Sequence, residues 1–148
     1  MFTFRINVTR NIVVPQFIRP GQLRMVGQTV VIPTMVARIT QGLDVTDSPA
    51  RSLSAPYIKA KTRRGRSAIP DLNYSGDLLR DLGVLSSQDM KLMIGFHSPL
   101  SVIKAIANQA RRRQIGLSPT DQAVVAAAIR DIVSQNLAES RRTNYRAA

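Results

Sequence analysis

Apolar and polar residues alternate strictly at the start of the chain, with Phe2, Phe4, Ile6 and Val8 set against Thr3, Arg5, Asn7 and Thr9. Period two predicts a half-buried β-strand. Residues 10–20 hold Ile12, Val13, Val14, Phe17 and Ile18 but are interrupted by Pro15, which suits a short edge strand or an extended arm rather than a central strand. After Pro20-Gly21 the period changes. Leu23, Val26, Val30, Met35, Val36 and Ile39 fall roughly at helical spacing, Pro33 predicts a kink or split near Ile32, and Gly42 is placed to end the helix.

From Leu43 to Pro70 no period survives, and Asp, Ser, Pro, Arg and Gly dominate. A stretch this long is not an ordinary connection, so it is expected to be an extended arm with little regular structure. Leu78–Leu85 and Met90–Phe96 then read as two strands joined around Ser86-Ser87-Gln88-Asp89, with Leu92, Ile94 and Phe96 on one face. The first of the two is ambiguous, because Asp77–Leu82 also suits a helical turn.

Ser98-Pro99 is a helix start, an N-cap acceptor followed by proline at the first helical position. Leu100, Ile103, Ala107 and Ala110 follow at helical spacing up to Arg111-Arg112-Arg113, cations that suit a helix C-terminus. Ser118-Pro119-Thr120-Asp121 repeats the signal in capping-box form and predicts a last helix to about Ala138, with a basic tail over about 139–148. The patterns together give one α+β domain: a small antiparallel sheet packed with about three helices, carrying a long extended basic arm over about 43–70. The expected core is Phe4, Ile6, Val26, Val30, Leu92, Ile94, Phe96, Ile103, Val125, Ile129 and Ile132.

Composition narrows the function. The 148 residues contain no cysteine, one histidine and one glutamate, so disulfide frameworks, thiol nucleophiles, multi-histidine zinc sites and Glu-pair acid–base chemistry are excluded within one chain. No cofactor is expected. Asp71, Asp77, Asp81 and Asp89 could be imagined as metal ligands, but turns and strand edges favour Asp anyway, and nothing in the pattern gathers them. His97 has no nucleophile-elbow motif to serve and reads as a strand-end histidine. Arg63-Arg64-Gly65-Arg66 lacks the Gly-Lys-Ser/Thr ending of a phosphate loop. The early charge at Arg5 breaks any signal-peptide pattern, and the longest nearly apolar stretches, Thr29–Ala37 and Ala123–Ile129, are far short of the ~20 residues that span a bilayer. A reducing cytoplasm, or a particle assembled there, is the expected setting, with no membrane partner.

Charge is the strongest compositional signal. Lys and Arg number 21 against 9 Asp and Glu, a net +12, and this points to a polyanion or an acidic protein surface as partner. The cations cluster at Lys59/Lys61/Arg63/Arg64/Arg66, at Arg111/Arg112/Arg113, and at Arg141/Arg142 with Arg146. Arginine outnumbers lysine 17 to 4, which favours bidentate contacts to phosphate or carboxylate. Only Tyr57, Tyr74 and Tyr145 lie near these groups, too few for a single-strand stacking platform. Each cluster therefore has three readings: DNA proximity, salt bridges to protein, or a solvated face.

A series of motifs carries a resemblance. Ala55-Pro56-Tyr57-Ile58-Lys59-Ala60-Lys61 is followed by Pro70-Asp71-Leu72-Asn73-Tyr74-Ser75-Gly76-Asp77-Leu78-Leu79, then Met90-Lys91-Leu92-Met93-Ile94-Gly95-Phe96. Lys104-Ala105-Ile106-Ala107-Asn108-Gln109 and Gly116-Leu117-Ser118-Pro119-Thr120-Asp121 complete it. In order and spacing, over roughly residues 55–135, this resembles the tail-completion (virion morphogenesis) proteins of tailed bacteriophages. The resemblance implies an α+β fold, no enzymatic activity, and a six-fold ring around the DNA channel at the virion neck or the head-proximal tail end. It also implies neighbouring neck or tail proteins as partners, DNA in the channel, and assembly in the host cytoplasm. The chain departs from the family in its strand-like first 20 residues and in Pro33. The rival expectation is a non-enzymatic basic nucleic-acid-binding protein acting alone, and a metal-dependent nuclease ranks third. A ring component should extend its arm away from the core and expose apolar interface patches; a solitary binder should be compact with one continuous basic face.

Overall fold

The computed structural model describes residues 4–6, 17–19, 21–73, 75–88 and 91–146, with 4–6 and 143–146 described at the level of the backbone. The chain is α+β. Strand β1 (Phe4–Ile6) pairs antiparallel with β3 (Lys91–Phe96), which pairs antiparallel with β2 (Leu82–Gln88), so β3 is central. Its Leu92, Ile94 and Phe96 are buried, as their alternation requires. Phe4 pairs with Ile94 and Ile6 with Leu92; the side chains of the two expected core residues Phe4 and Ile6 lie outside the described residues, as do the other residues of the alternating run and the stretch 7–16.

The predicted first helix is a continuous run of three pieces: α1 (Gln22–Val26), a π-helical turn (Gly27–Val31) and α2 (Ile32–Thr40). Pro33 does not break it. Proline has no N–H to give and its ring crowds the carbonyl four residues earlier; the wide turn just upstream, in which the Ile32 N–H reaches back to Gly27 O, accommodates it without a split. The run ends as predicted at Gly42, at φ +76°, with Gly42 N–H to Ile39 O (2.9 Å) and Leu43 N–H to Arg38 O (3.3 Å) closing a Schellman pair. Gly27 meets the sheet directly. A Cβ there would come within 2.7 Å of Val84 Cγ2 and 2.9 Å of Leu92 Cδ1. Gly27→Ala gains about 1 kcal/mol of helix propensity but forces the sheet apart, so a net loss of about 1–3 kcal/mol is expected; an unchanged thermal midpoint would show that the contact yields.

The strand predicted from Leu78 begins four residues later, because α4 (Asp77–Arg80) takes up the helical turn that was the alternative. Helix α5 (Pro99–Arg112) starts at the predicted proline, but the Ser98 side chain does not cap it; the Ser98 N–H donates instead to Asp81 Oδ2 at 2.9 Å. The last helix, α6 (Pro119–Arg146), starts at a formed capping box, with Ser118 N–H to Asp121 Oδ2 and Asp121 N–H to Ser118 Oγ, both 3.1 Å. It also absorbs the basic tail expected over 139–148 as far as Arg146. No Gly or Pro follows Ala138 to stop it, and Ala, Glu and Arg propagate helix well.

Val26, Val31 and Met35 from the first run, Leu82, Val84, Leu92, Ile94 and Phe96 from the sheet, and Val125, Ile129 and Val133 of α6 form one core. Val30 and Ile132 are partly buried against it. One expected core residue is corrected: Ile103 is 63% exposed. Helix α5 turns its small Ser101 and Ala105 inward, which lets its backbone approach closely, packs Val102 partly against the core, and leaves Leu100, Ile103 and Ile106 outside.

The segment 43–70 has little regular structure, as expected, its one helix being α3 (Ala55–Thr62); the correction is that it does not extend away from the core but lies against its own chain. Val45 N–H donates to Arg113 O (3.0 Å), Arg112 Nε to Arg51 O (3.0 Å), and Gln114 Nε2 to Leu43 O and Pro70 O. No apolar stripe betrays α3 in the sequence. The readable signal was Ser54 at the N-cap with Pro56 in the first turn.

Candidate polyanion and partner surfaces

The backbone of 43–70 is fixed by two buried cations, and these decide where the remaining charges point. Arg38 on α2 donates through Nε to Asp121 Oδ2 (2.8 Å), through Nη1 to Leu43 O (3.2 Å), and through Nη2 to Gln114 O (2.9 Å) and Gly116 O (2.6 Å). It thereby joins the end of the first helical run, the start of the segment, the α5–α6 connection and the cap of α6. Lys61 on α3 is 1% exposed and gives its ammonium to Asp71 and to Ile69 O. The other Asp71 oxygen accepts from Ser67 Oγ (2.9 Å), and Asn73 N–H also donates to Asp71 (3.0 Å).

Lys61 is therefore removed from the set of expected DNA- or partner-binding residues. A lysine ammonium paired inside the fold is unavailable to a phosphate outside it. The rest of its cluster is displayed. Lys59, Arg63, Arg64 and Arg66 are exposed on α3 and the turn after it, at Arg63-Arg64-Gly65. Tyr57 and Lys61 line the same small recess as Asn108 and Arg112 of α5, so the cluster at 59–66 adjoins the cluster at 111–113. Within the latter, Arg111 and Arg113 are exposed and Arg112 is half-buried against the backbone at Arg51.

Arg80 joins this side and was not singled out from the sequence. It lines an open recess of about 330 Å³ together with Arg66, Ser75 and Asn73. Its isolated position in the sequence hid it; the turn at Ser75-Gly76 and the one-turn α4 bring it round to Arg66. Asp77 pairs with Arg80, and the Ser75 hydroxyl followed by Arg80 holds the Asp77 carboxyl below the usual 3.8. The carboxylate is thus ionised throughout the neutral range and partly neutralises Arg80, while Arg66 is not ion-paired among the described residues.

Arg141 and Arg142 form a separate surface. They are exposed near the C-terminal end of α6, where neighbouring Glu139 pairs with Arg19. At 1.5 Å per residue, they lie roughly 30 Å along the helix from Asp121, against which the 114–116 turn is anchored. The three sequence clusters become two cationic surfaces, one formed by α3 with the end of α5, the other at the far end of α6.

Asp71, Asp77 and Asp81 are each engaged in a pair or cap described above, and Asp89 lies outside the described residues. Among the described residues no three His, Cys, Asp or Glu side chains converge as a metal site would require. His97 is exposed, its ring lying over Gly83. No helix among the described residues is long and apolar enough to cross a membrane. Neither known protein families, curated proteins nor solved structures provide a match to the chain.

Proposed function

We propose that this chain is a non-enzymatic structural protein of a tailed-phage particle, a tail-completion or neck component that closes into a ring, six-fold as the resemblance implies, around the DNA channel. The observation that carries the reading is the division of its charge into two cationic surfaces, one on α3 with the end of α5 and the other near the C-terminal end of α6, roughly 30 Å along that helix from Asp121. A subunit between two neighbours needs two such surfaces. One can face DNA in the channel; the other can meet an acidic surface of a copy or an adjoining neck protein. Magnitude supports this division: a ring of +12 subunits repels itself, and screening over ~8–10 Å removes only part of that repulsion. Anions must lie close by for the ring to be stable.

The test is Arg63→Glu, Arg64→Glu and Arg66→Glu made together. These residues are exposed and contribute little to folding, so the isolated protein is expected to keep its circular dichroism and to melt within about 0.5 kcal/mol of the parent. Particle assembly or DNA retention should be impaired, and native mass spectrometry of the parent should show a closed oligomer. Normal assembly with full DNA retention by the variant would sink the reading.

A second reading has its own observation. The segment 43–70 lies on its own chain, and α3 with the end of α5 makes one continuous basic face, as a nucleic-acid-binding protein acting alone would have. A purified monomer that binds duplex DNA unaided, with log affinity falling steeply against log salt, would favour this reading over the ring.

A further inference from the structure

Helix α5 presents an apolar seam that no described residue covers. Leu100 is 59% exposed, Ile103 63% and Ile106 40%, and Ala107 and Ala110 extend the line toward the basic end. Beside the seam, toward the sheet, runs a groove of about 380 Å³ whose floor is apolar, with Phe96, Val102 and Ile115 among its lining residues. Its far wall is Leu85. Between Val84, opposite Ile94, and Ser86, opposite Met93, β2 spends two residues against one on β3. Leu85 is the extra residue of this bulge, and it lines the groove.

We propose that this seam and groove dock an acidic amphipathic helix from a different protein. Three observations select that occupant. The seam follows the α5 axis from Leu100 to Ala110, about 15 Å or nearly three turns, which matches a helix laid alongside it. The bulge at Leu85 disrupts the ladder of β2, so this edge is a poor template for an added strand. No Asp or Glu occurs from Met90 to Thr120, while exposed Lys104 and Arg111, one heptad apart on α5, flank the seam on the side away from the groove; the nearby carboxylate of Asp77, which feels the charge of Lys104, is already paired with Arg80.

A second copy fits badly. Two α5 seams packed on each other about a two-fold axis would bring Lys104 and Arg111 of both copies to one interface with no carboxylate on either helix. The inference goes beyond the ring proposed above and stands whether or not the subunits close into one.

The probe is a synthetic helix of about four turns, with leucine at i, i+3, i+7 and i+10 and glutamate at the flanking positions. It is titrated against the full chain by fluorescence anisotropy beside a counterpart with lysine for glutamate. The glutamate peptide is expected to bind about tenfold or more tightly than the lysine peptide, from two favourable rim pairs replaced by two unfavourable ones. Ile103→Asp should abolish binding while leaving the circular dichroism unchanged, because Ile103 is exposed. Lys104→Glu with Arg111→Glu should reverse the preference between the peptides. Equal binding of the two peptides, or binding of neither, overturns the proposal. So does an Ile103→Asp variant that loses self-association by native mass spectrometry, or loses binding to phosphatidylglycerol vesicles, while the parent ignores the peptide. Those last outcomes assign the face to a second copy or to a lipid surface. The oligomeric state of the parent, measured in the same experiment, reports on the ring separately.

Discussion

Arg38→Ala is expected to cost about 3–5 kcal/mol, a large fraction of the ~5–15 kcal/mol available to a domain. The truncation strands more than one partner. The Asp121 carboxylate, 3% exposed, loses its counter-charge, and the carbonyls of Leu43, Gln114 and Gly116 lose the guanidinium donor they share. Asp121 also closes the capping box of α6, so the loss propagates to the helix that supplies Val125, Ile129 and Val133 to the core. Urea denaturation of the variant should show the midpoint falling with the slope unchanged. Arg38→Lys should recover only part, since a point-like ammonium cannot reproduce a fork serving four acceptors. The apolar pair Arg38→Met with Asp121→Leu should be more stable than Arg38→Ala, because it removes the stranded charge, although the cap bond is lost with it. A loss below about 1 kcal/mol for Arg38→Ala would contradict the role given to this pair.

Lys61→Met is the second large effect, expected to cost about 3–5 kcal/mol locally. The substitution keeps an unbranched apolar chain out to Cε, with sulfur in place of Cδ, and removes the ammonium, leaving the Asp71 carboxylate buried with Ser67 and Asn73 as its remaining donors. The loss should stay confined. Helix α3 buries no other side chain as fully, so the energy that holds it is concentrated at this residue. Amide hydrogen exchange should therefore accelerate across 55–73 while β3 and α6 keep their protection. Faster exchange spread evenly over the whole chain would refute the local account. Lys61→Met with Asp71→Leu should restore part of the protection. The functional corollary is that Lys61→Met, without altering any exposed charge, should weaken whatever Arg63, Arg64 and Arg66 bind, because their placement depends on α3.

Much of the fold was legible because it rests on local chemistry. The alternation of Leu92, Ile94 and Phe96, the Ser118/Asp121 capping box, the proline start of α5 and the glycine stop at Gly42 each act over a few residues. The last helix runs beyond the end the sequence predicts because no local stop marks it. Helix α3 leaves no apolar pattern in the sequence because it buries almost nothing apolar. The candidate site was legible in its charges and not in its arrangement. Arg63, Arg64, Arg66 and the arginines at 111–113 are conspicuous in the sequence, but Arg80 stands between Asp77 and Asp81 with no cation beside it to mark it, and Lys61 looks the same in sequence as Lys59 two residues earlier.

By itself the sequence determined the period-two and helical segments, the caps that begin and end them, the absence of thiol chemistry and the excess of positive charge. These follow from backbone sterics, hydrogen-bonding geometry and composition, which need no knowledge of distant residues. The tertiary structure alone decided that Lys61 turns inward to Asp71, that Arg38 reaches Asp121 across 83 positions, and that α5 seats on Ser101 and Ala105 with Ile103 outward. Each of these depends on what the neighbouring surface offers: a buried carboxylate repays the desolvation of a cation, and a small-residue face permits close approach where a bulky apolar face does not.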